Sequence, residues 1–233
     1  MLQVCLNGAR GPADSAAVPM SPESLARSAA RAVAAGAREV RVHPRTPCGR
    51  TSLSPRVLGP VLAAVRSALD TPVRVTTAAS AEPDPDRLVE RIRSWTDLPD
   101  LVSVDWHEPG AEEVAAALLE RGIGVEAALW SGTDGADRFA GSPSAARVER
   151  VLAKAAGRGG DPVATARALL ASLAVPAGVP VLLHGEGDGV WPVLRLARRL
   201  GAGARIGLED TVFLPDGTRA RSNAELVAAA LAD

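Results

Sequence analysis

The sequence predicts an α/β protein folded as a (β/α)8 TIM barrel, with residues 1–233 forming a single domain. Three observations predict it. Eight short apolar or β-branched stretches alternate with helical ones, and no linker or low-complexity tail interrupts them. A chain of 233 residues is the right length for one closed barrel. Residues 7–11, Asn-Gly-Ala-Arg-Gly, lack the GxGxxG turn that an open doubly wound sheet, the runner-up, normally carries after strand one.

Each element follows from local chemistry. Strand one is 2–6 and ends at Asn7-Gly8. Ser21 is an N-cap and Pro22 a first helical residue, and Gly36 stops the helix they open. Strand two is 39–43, where Pro44 ends its pairing. Ser54-Pro55 opens the next helix, with Leu58, Val61, Leu62, Val65 and Leu69 at helical spacing. Strand three, 72–77, is rich in β-branched residues. Helix 86–95, strand 101–105, helix 111–121 and strand 124–129 continue the alternation. Gly141 and Pro143 break any long helix in 133–146. Strand six is 148–153, and Asp161-Pro162 opens a helix to 173. Strand seven is 179–183, and 191–200 is helical. Strand eight is 204–210, and 222–231 is the closing helix.

Composition narrows the function. The 26 basic and 27 acidic side chains leave a net charge of −1, which implies neither a nucleic-acid nor a membrane surface. Hydrophobic residues make up 47% but aromatics only 3%, so the core is built from Ala, Val and Leu. There is no long apolar run and no signal-peptide pattern, and Cys5 and Cys48 make no disulfide framework. A cytoplasmic protein is the expectation.

Barrel enzymes keep their chemistry where the strands' C-terminal ends meet the βα loops. Polar residues collect at those ends here: Asn7, His43, Arg45, Thr76, Ser103, Asp105, Glu126, His184, Glu186, Arg205, Glu209 and Asp210. The stretch 204–210, Ala-Arg-Ile-Gly-Leu-Glu-Asp, is either the edge of a site or a strand end flowing into a polar turn. Arg41 alternates with His43 and so points inward with it. Glu126, in an apolar strand, is either an acid/base group or half of a buried ion pair. Thr76 and Ser103 are ordinary strand residues unless a ligand carboxylate lies over them. His43, His184 and Glu209 can approach one divalent ion, although no HxH or HExxH spacing marks such a site.

With those residues in view, the chain resembles the β-keto acid cleavage enzyme family nearly end to end. The resemblance rests on Leu6-Asn7-Gly8-Ala9, on Val42-His43-Pro44-Arg45 with Gly49, on Val75-Thr76-Thr77 and on Gly124-Val125-Glu126. Its most specific parts are His184-Gly185-Glu186-Gly187 with Trp191-Pro192, and Arg205-Ile206-Gly207-Leu208-Glu209-Asp210 with Pro215-Asp216-Gly217 and Ser222-Asn223. The chain is similar to the family's shorter members.

The resemblance implies a TIM barrel holding zinc or another divalent metal. It also implies condensation of a β-keto acid with acetyl-CoA as co-substrate, then retro-Claisen cleavage to acetoacetate and a new acyl-CoA. Carried over by position, it implies His43 and Glu209 as metal ligands, Arg205, Asp210 and Glu126 as catalytic residues, and Thr76 and Ser103 as substrate-binding hydroxyls. Asn7, Arg10, Arg41, Asp105, His184 and Glu186 fall at the same mouth as substrate-binding residues. A homo-oligomer is implied as well.

The sequence also departs from the family. Members usually read His-x-His-x-Arg at strand two, where this chain has Arg41-Val42-His43-Pro44-Arg45. A guanidinium stays protonated and binds no cation. Arg10 stands where some members have a substrate-contacting glutamate, and Asp105 where asparagine is common. Two further expectations follow: His184 as a substitute third ligand, or a metal-free lyase, aldolase-type or cyclising enzyme whose arginines bind an anionic substrate. A non-catalytic paralogue is the reading from a different class.

Overall fold

The computed structural model describes residues 1–156 and 160–233. Eight strands, β1 (Leu2–Cys5), β2 (Glu39–Arg41), β3 (Val73–Thr76), β4 (Leu101–Asp105), β5 (Gly124–Trp130), β6 (Arg150–Ala155), β7 (Val181–Gly185) and β8 (Gly203–Ile206), pair in parallel in sequence order. β8 returns to β1, with Gln3 opposite Arg205, so the sheet closes and the open-sheet alternative is excluded. The helices between them are α1 (Pro22–Ala34), α2 (Pro55–Ala68), α3 (Pro85–Ser94), α4 (Ala111–Glu120), α5 (Gly135–Ala140), α6 (Pro162–Ser172) and α7 (Val190–Arg199), with α8 (Asn223–Ala232) after β8. None of the described helices is long and apolar enough to cross a membrane.

Helix starts obey the capping chemistry. The Ser21 hydroxyl accepts from the Ser24 amide, and Ser24 reciprocates to the Ser21 amide in a capping box. Asp84, Asp161 and Ser222 cap α3, α6 and α8 through their side-chain oxygens. Ser54 makes no such bond, so α2 begins on Pro55 alone.

The core lies outside the barrel wall. Val4, Val40, Val42, Val75, Val102, Val104, Val125, Leu129 and Val151 face the helices in one continuous apolar cluster. The alternate residues face inward. There only Ala128, Leu152 and Leu182 form a small separate apolar cluster, and much of the remaining interior is charged.

Several boundaries differ from the sequence expectation. Strand six runs over Arg150–Ala155 rather than 148–153, two residues later. Strand seven is Val181–Gly185 rather than 179–183, because Val179 donates to Pro176 in a turn. The stretch 133–146 holds the short α5 and a 3₁₀ turn at Ala145–Arg147. Strand eight stops at Ile206 rather than 210. Gly207 packs directly on the Cys5 backbone, where a Cβ would collide with the Cys5 carbonyl oxygen. The chain then turns, with Asp210 and Thr211 both donating to the Gly207 carbonyl. Glu209 and Asp210 therefore sit on a tight turn over the barrel mouth, not on a strand.

Candidate active site

The mouth is assembled from the turn after β8 and the ends of its neighbours. Asn223 on α8 pins that turn, accepting from the Leu208 amide at 2.8 Å and donating to the Leu6 carbonyl at 2.9 Å. Gly8 (φ +56°) backs it, since a side chain there would run into Glu209. A cavity of about 900 Å³ opens above, lined by Arg10, Arg205, Glu209, Asp210 and Glu186 with residues from the starts of α6 and α7. That volume suits a small organic ligand.

Beneath the cavity the charges interlock. Arg205 Nη2 lies 3.2 Å from Glu209 Oε1 and 3.0 Å from Asp210 Oδ1. His184 Nε2 approaches the same Asp210 oxygen at 2.9 Å. On the other side, Glu209 Oε2 faces His43 Nδ1 at 3.5 Å and Arg41 Nε at 3.8 Å. Arg41 and His43 both point inward, as their alternation requires. Arg41 Nη1 donates to Ser103 Oγ at 3.0 Å, and Ser103 donates to Glu126 Oε1 at 2.8 Å. The other Glu126 oxygen accepts from Arg150 Nε at 2.6 Å. Arg150 reaches Glu39 at 2.7 Å, and Arg74 also pairs with Glu39. A single ionic column thus runs from the mouth to the N-terminal face.

Burial and neighbouring charge set the protonation states. Burial, reinforced by Arg41, Arg205 and Arg45 and opposed by Glu209, depresses the His43 pKa to about 4. His184 is also pushed down, by burial and by Arg205 against the pull of Asp210. Burial alone would raise Glu126, but Arg150, Arg41 and the Ser103 hydroxyl outweigh it and hold the carboxyl at about 2. Glu209 is driven low in the same way, its burial outweighed by His43, Arg41 and Arg205. Neutral imidazoles and ionised carboxylates are therefore the resting states at neutral pH.

Some expected residues turn out to hold the frame. Asn7, expected to bind substrate, spends its side-chain amide on His43, donating to its carbonyl and accepting from its amide, both at 2.9 Å. It clips β1 to β2. Thr76 Oγ1 accepts from the Ala78 amide, and its side chain is buried. Glu126 is half of a buried ion pair below the mouth, with both oxygens engaged, so its acid/base alternative is not what the geometry supports. Arg10 lines the cavity while donating to the Glu209 and Asp210 carbonyls at 3.1 and 3.3 Å. Arg45 holds the Gly8, Arg10 and Gly49 carbonyls.

The donor set can be tested against a divalent ion. His43 Nδ1 and Glu209 Oε2 are buried and have no hydrogen-bond partner, as a ligand pair would be. Zinc needs at least three protein ligands. His184, expected as the third, faces Asp210 instead, and the group beside Glu209 Oε2 is the Arg41 guanidinium. Among the described residues no group of three or more His, Cys, Asp and Glu is arranged to hold a metal ion. The residues in this arrangement do not fit a divalent ion.

A matching family model covers residues 1–232 and describes a beta-keto acid cleavage enzyme. The chain belongs to the β-keto acid cleavage enzyme family. No curated protein sequence matches it. Solved structures of ObcA share its fold: the apo form with a TM-score of 0.69, and a ternary complex with C4-CoA adduct and oxalate at 0.70, each 16% identical over 91% of this chain. The chain spans only 60% and 62% of those two chains. 3-Hexulose-6-phosphate synthase is a more distant barrel, with a TM-score of 0.55 at 20% identity over 98% of this chain. At such identities the likeness establishes the fold.

For this member of the β-keto acid cleavage enzyme family, sequence reasoning missed Lys154. It lies at the C-terminal end of β6, buried, with Nζ 3.6 Å from Asp105 Oδ1 and 3.5 Å from the Trp130 ring centroid. Trp130 Nε1 also donates to Asp105. Placing strand six two residues early left Lys154 beyond the strand's end. A signal was available, because Lys154 is the only lysine in a chain with 25 arginines.

Proposed function

We propose that the protein cleaves a β-keto acid by acyl exchange with a CoA thioester, acetyl-CoA in the first instance, using fixed guanidinium cations where a metal is usual. In the exchange, the carbon between the keto and carboxylate groups of the β-keto acid loses a proton and attacks the thioester carbonyl. The original bond from that carbon to its keto carbon then breaks as CoA is transferred. Acetoacetate and a new acyl-CoA result, and atoms balance without an oxidant or reductant.

The observation that carries this reading is the pairing of Arg205 with Asp210 at the cavity floor. Asp210 Oδ1 is held by Arg205 and lies 2.9 Å from His184 Nε2, while Oδ2 is buried with no partner and is the acceptor for the substrate proton. Arg205 Nη1 likewise has no partner and supplies a charged donor for the substrate carboxylate. Arg41 and Arg10 add positive potential that favours the charge developing as the proton leaves. Ser103, itself bound to Glu126, holds Arg41 in place, and the Glu209 and Asp210 carbonyls hold Arg10. Glu209 lines the cavity, and His43, kept neutral, faces its carboxylate at 3.5 Å.

ObcA, crystallised with oxaloacetate and with a C4-CoA adduct and oxalate, supports testing short keto acids first. The test is incubation of the protein with acetyl-CoA and a panel of β-keto acids, oxaloacetate included, followed by mass spectrometry of acyl-CoA products. New acyl-CoA with matching acetoacetate is the expected result, lost in Arg205→Lys. Folded protein that exchanges no acyl group with any member of the panel would overturn the reading.

A further inference from the structure

The enolate-like intermediate of any β-keto acid cleavage needs somewhere to put its electrons. Without a fitting metal site, guanidinium hydrogen bonds are one such place and a covalent iminium is another. Lys154 is built for the second. Among the described residues, each of the other buried Lys/Arg cations, Arg41, Arg150 and Arg205, is an arginine. Arginine holds a buried carboxylate at least as well as lysine does, but it does not give up its proton and makes no imine. The chain's single lysine therefore stands at the one interior position, facing Asp105, where a titratable amine differs in kind from its 25 guanidinium counterparts.

Resting on the keto-acid reading above, we propose that Lys154 is a catalytic nucleophile whose amine condenses with the keto carbon of the substrate to form an iminium. Asp105, 3.6 Å from Nζ, first takes a proton from the ammonium. The free amine adds to the keto carbon, and Asp105 returns the proton to the carbinolamine oxygen, which leaves as water. The iminium nitrogen then accepts the electron pair released when the substrate carbon loses its proton, and the resulting enamine is the carbon nucleophile of the exchange. Its attack on the thioester carbonyl expels CoA, water then hydrolyses the imine to restore Lys154 and the keto group, and CoA adds to that keto carbon as acetoacetate leaves.

The surroundings suit this role. Burial lowers the Lys154 pKa, Arg205 and Arg41 press it further down, and Asp105 and Glu186 oppose them. The Trp130 indole lies against the amine and at the same time donates to Asp105, fixing the pair's geometry.

The sequence makes the test unusually clean, since the Met1 amine is the only competitor for imine formation on a lysine-poor chain. Full-length protein is treated with acetoacetate or oxaloacetate and sodium cyanoborohydride, and its intact mass and peptides are measured. The expected result is one reduced keto-acid adduct per chain, mapped to Lys154 and absent from Lys154→Arg and Lys154→Met. Folded parent protein with no adduct, or with adduct on Met1 alone, would overturn the proposal. So would a folded Lys154→Arg that keeps parental acyl exchange. Exchange without trapping removes this inference and leaves the acyl-exchange reading standing; trapping at Lys154 without exchange does the reverse.

Discussion

Arg41 Nε lies 3.8 Å from Glu209 Oε2, the same carboxylate oxygen that His43 Nδ1 faces at 3.5 Å. One oxygen is thus shared between an imidazole that can ligate a metal and a guanidinium that repels one. The balance rests on a single side chain, because His43 and Glu209 are already placed as two ligands and strand two puts residue 41 on the same inward face. Purified parent protein is expected to contain no stoichiometric zinc by elemental analysis, and Arg41→His to acquire it. Stoichiometric zinc in the parent, lost in His43→Ala and Glu209→Ala, would show that the ion displaces Arg41 and that the metal route operates.

Below the mouth, the same electrostatics becomes stability. Glu126 is buried between Ser103 and Arg150, and removal of one partner from a buried pair costs about 3–5 kcal/mol. Arg150→Met should therefore lower stability by about that much in urea titrations. Losing less than about 1 kcal/mol would mean that the column is solvated and carries little energy.

The sign of the pH dependence follows from Glu126. Its folded pKa of about 2 is depressed from 4.5, so its contribution is complete above 4.5 and is lost as pH falls toward 2. His43 acts in the same direction over a higher window. Its folded pKa of about 4 lies below 6.5, so the unfolded chain binds more protons between these values and stability falls from pH 6.5 down to 4. His43→Asn should flatten the upper window and Glu126→Gln the lower one, measured as unfolding midpoints against pH. An unchanged slope between pH 6.5 and 4 in His43→Asn would mean that the imidazole charges freely in the folded state.

Much of this architecture was legible because it is local. Ser21-Pro22, Asp161-Pro162 and Ser222 announce helix starts through bonds made within a few residues, and period-two alternation correctly turned Arg41 and His43 inward. What was not legible depends on closure. Glu126 meets Arg150 as its register partner on the next strand, but Arg150 meets Glu39 across 111 positions only because the sheet returns on itself. Asn7 has the composition of a ligand-binding residue, yet the backbone of His43 takes its whole amide. Lys154 was lost to a two-residue slip in strand six, expected at 148–153 and found at Arg150–Ala155. The family motif found Glu209 and Asp210, but only the turn at Gly207 explains why both reach one cavity.

Asp210 offers the sharpest test of how the mouth works. Its Oδ1 is fixed by Arg205 at 3.0 Å and faces His184 at 2.9 Å, leaving Oδ2 as the oxygen that receives the substrate proton. Asp210→Asn preserves shape and can still accept through its carbonyl oxygen, but it cannot take a proton. General-base loss typically costs about 10²–10⁴ in rate, so kcat for acyl exchange should fall within that range while KM changes little. His184→Gln removes only the imidazole beside Asp210 and is expected to lower kcat less than Asp210→Asn does. A mainly structural Asp210 would give the opposite pattern, with Asp210→Asn losing thermal stability while its remaining folded fraction turned over at the parental rate. Steady-state kinetics alongside a denaturation curve separates the two.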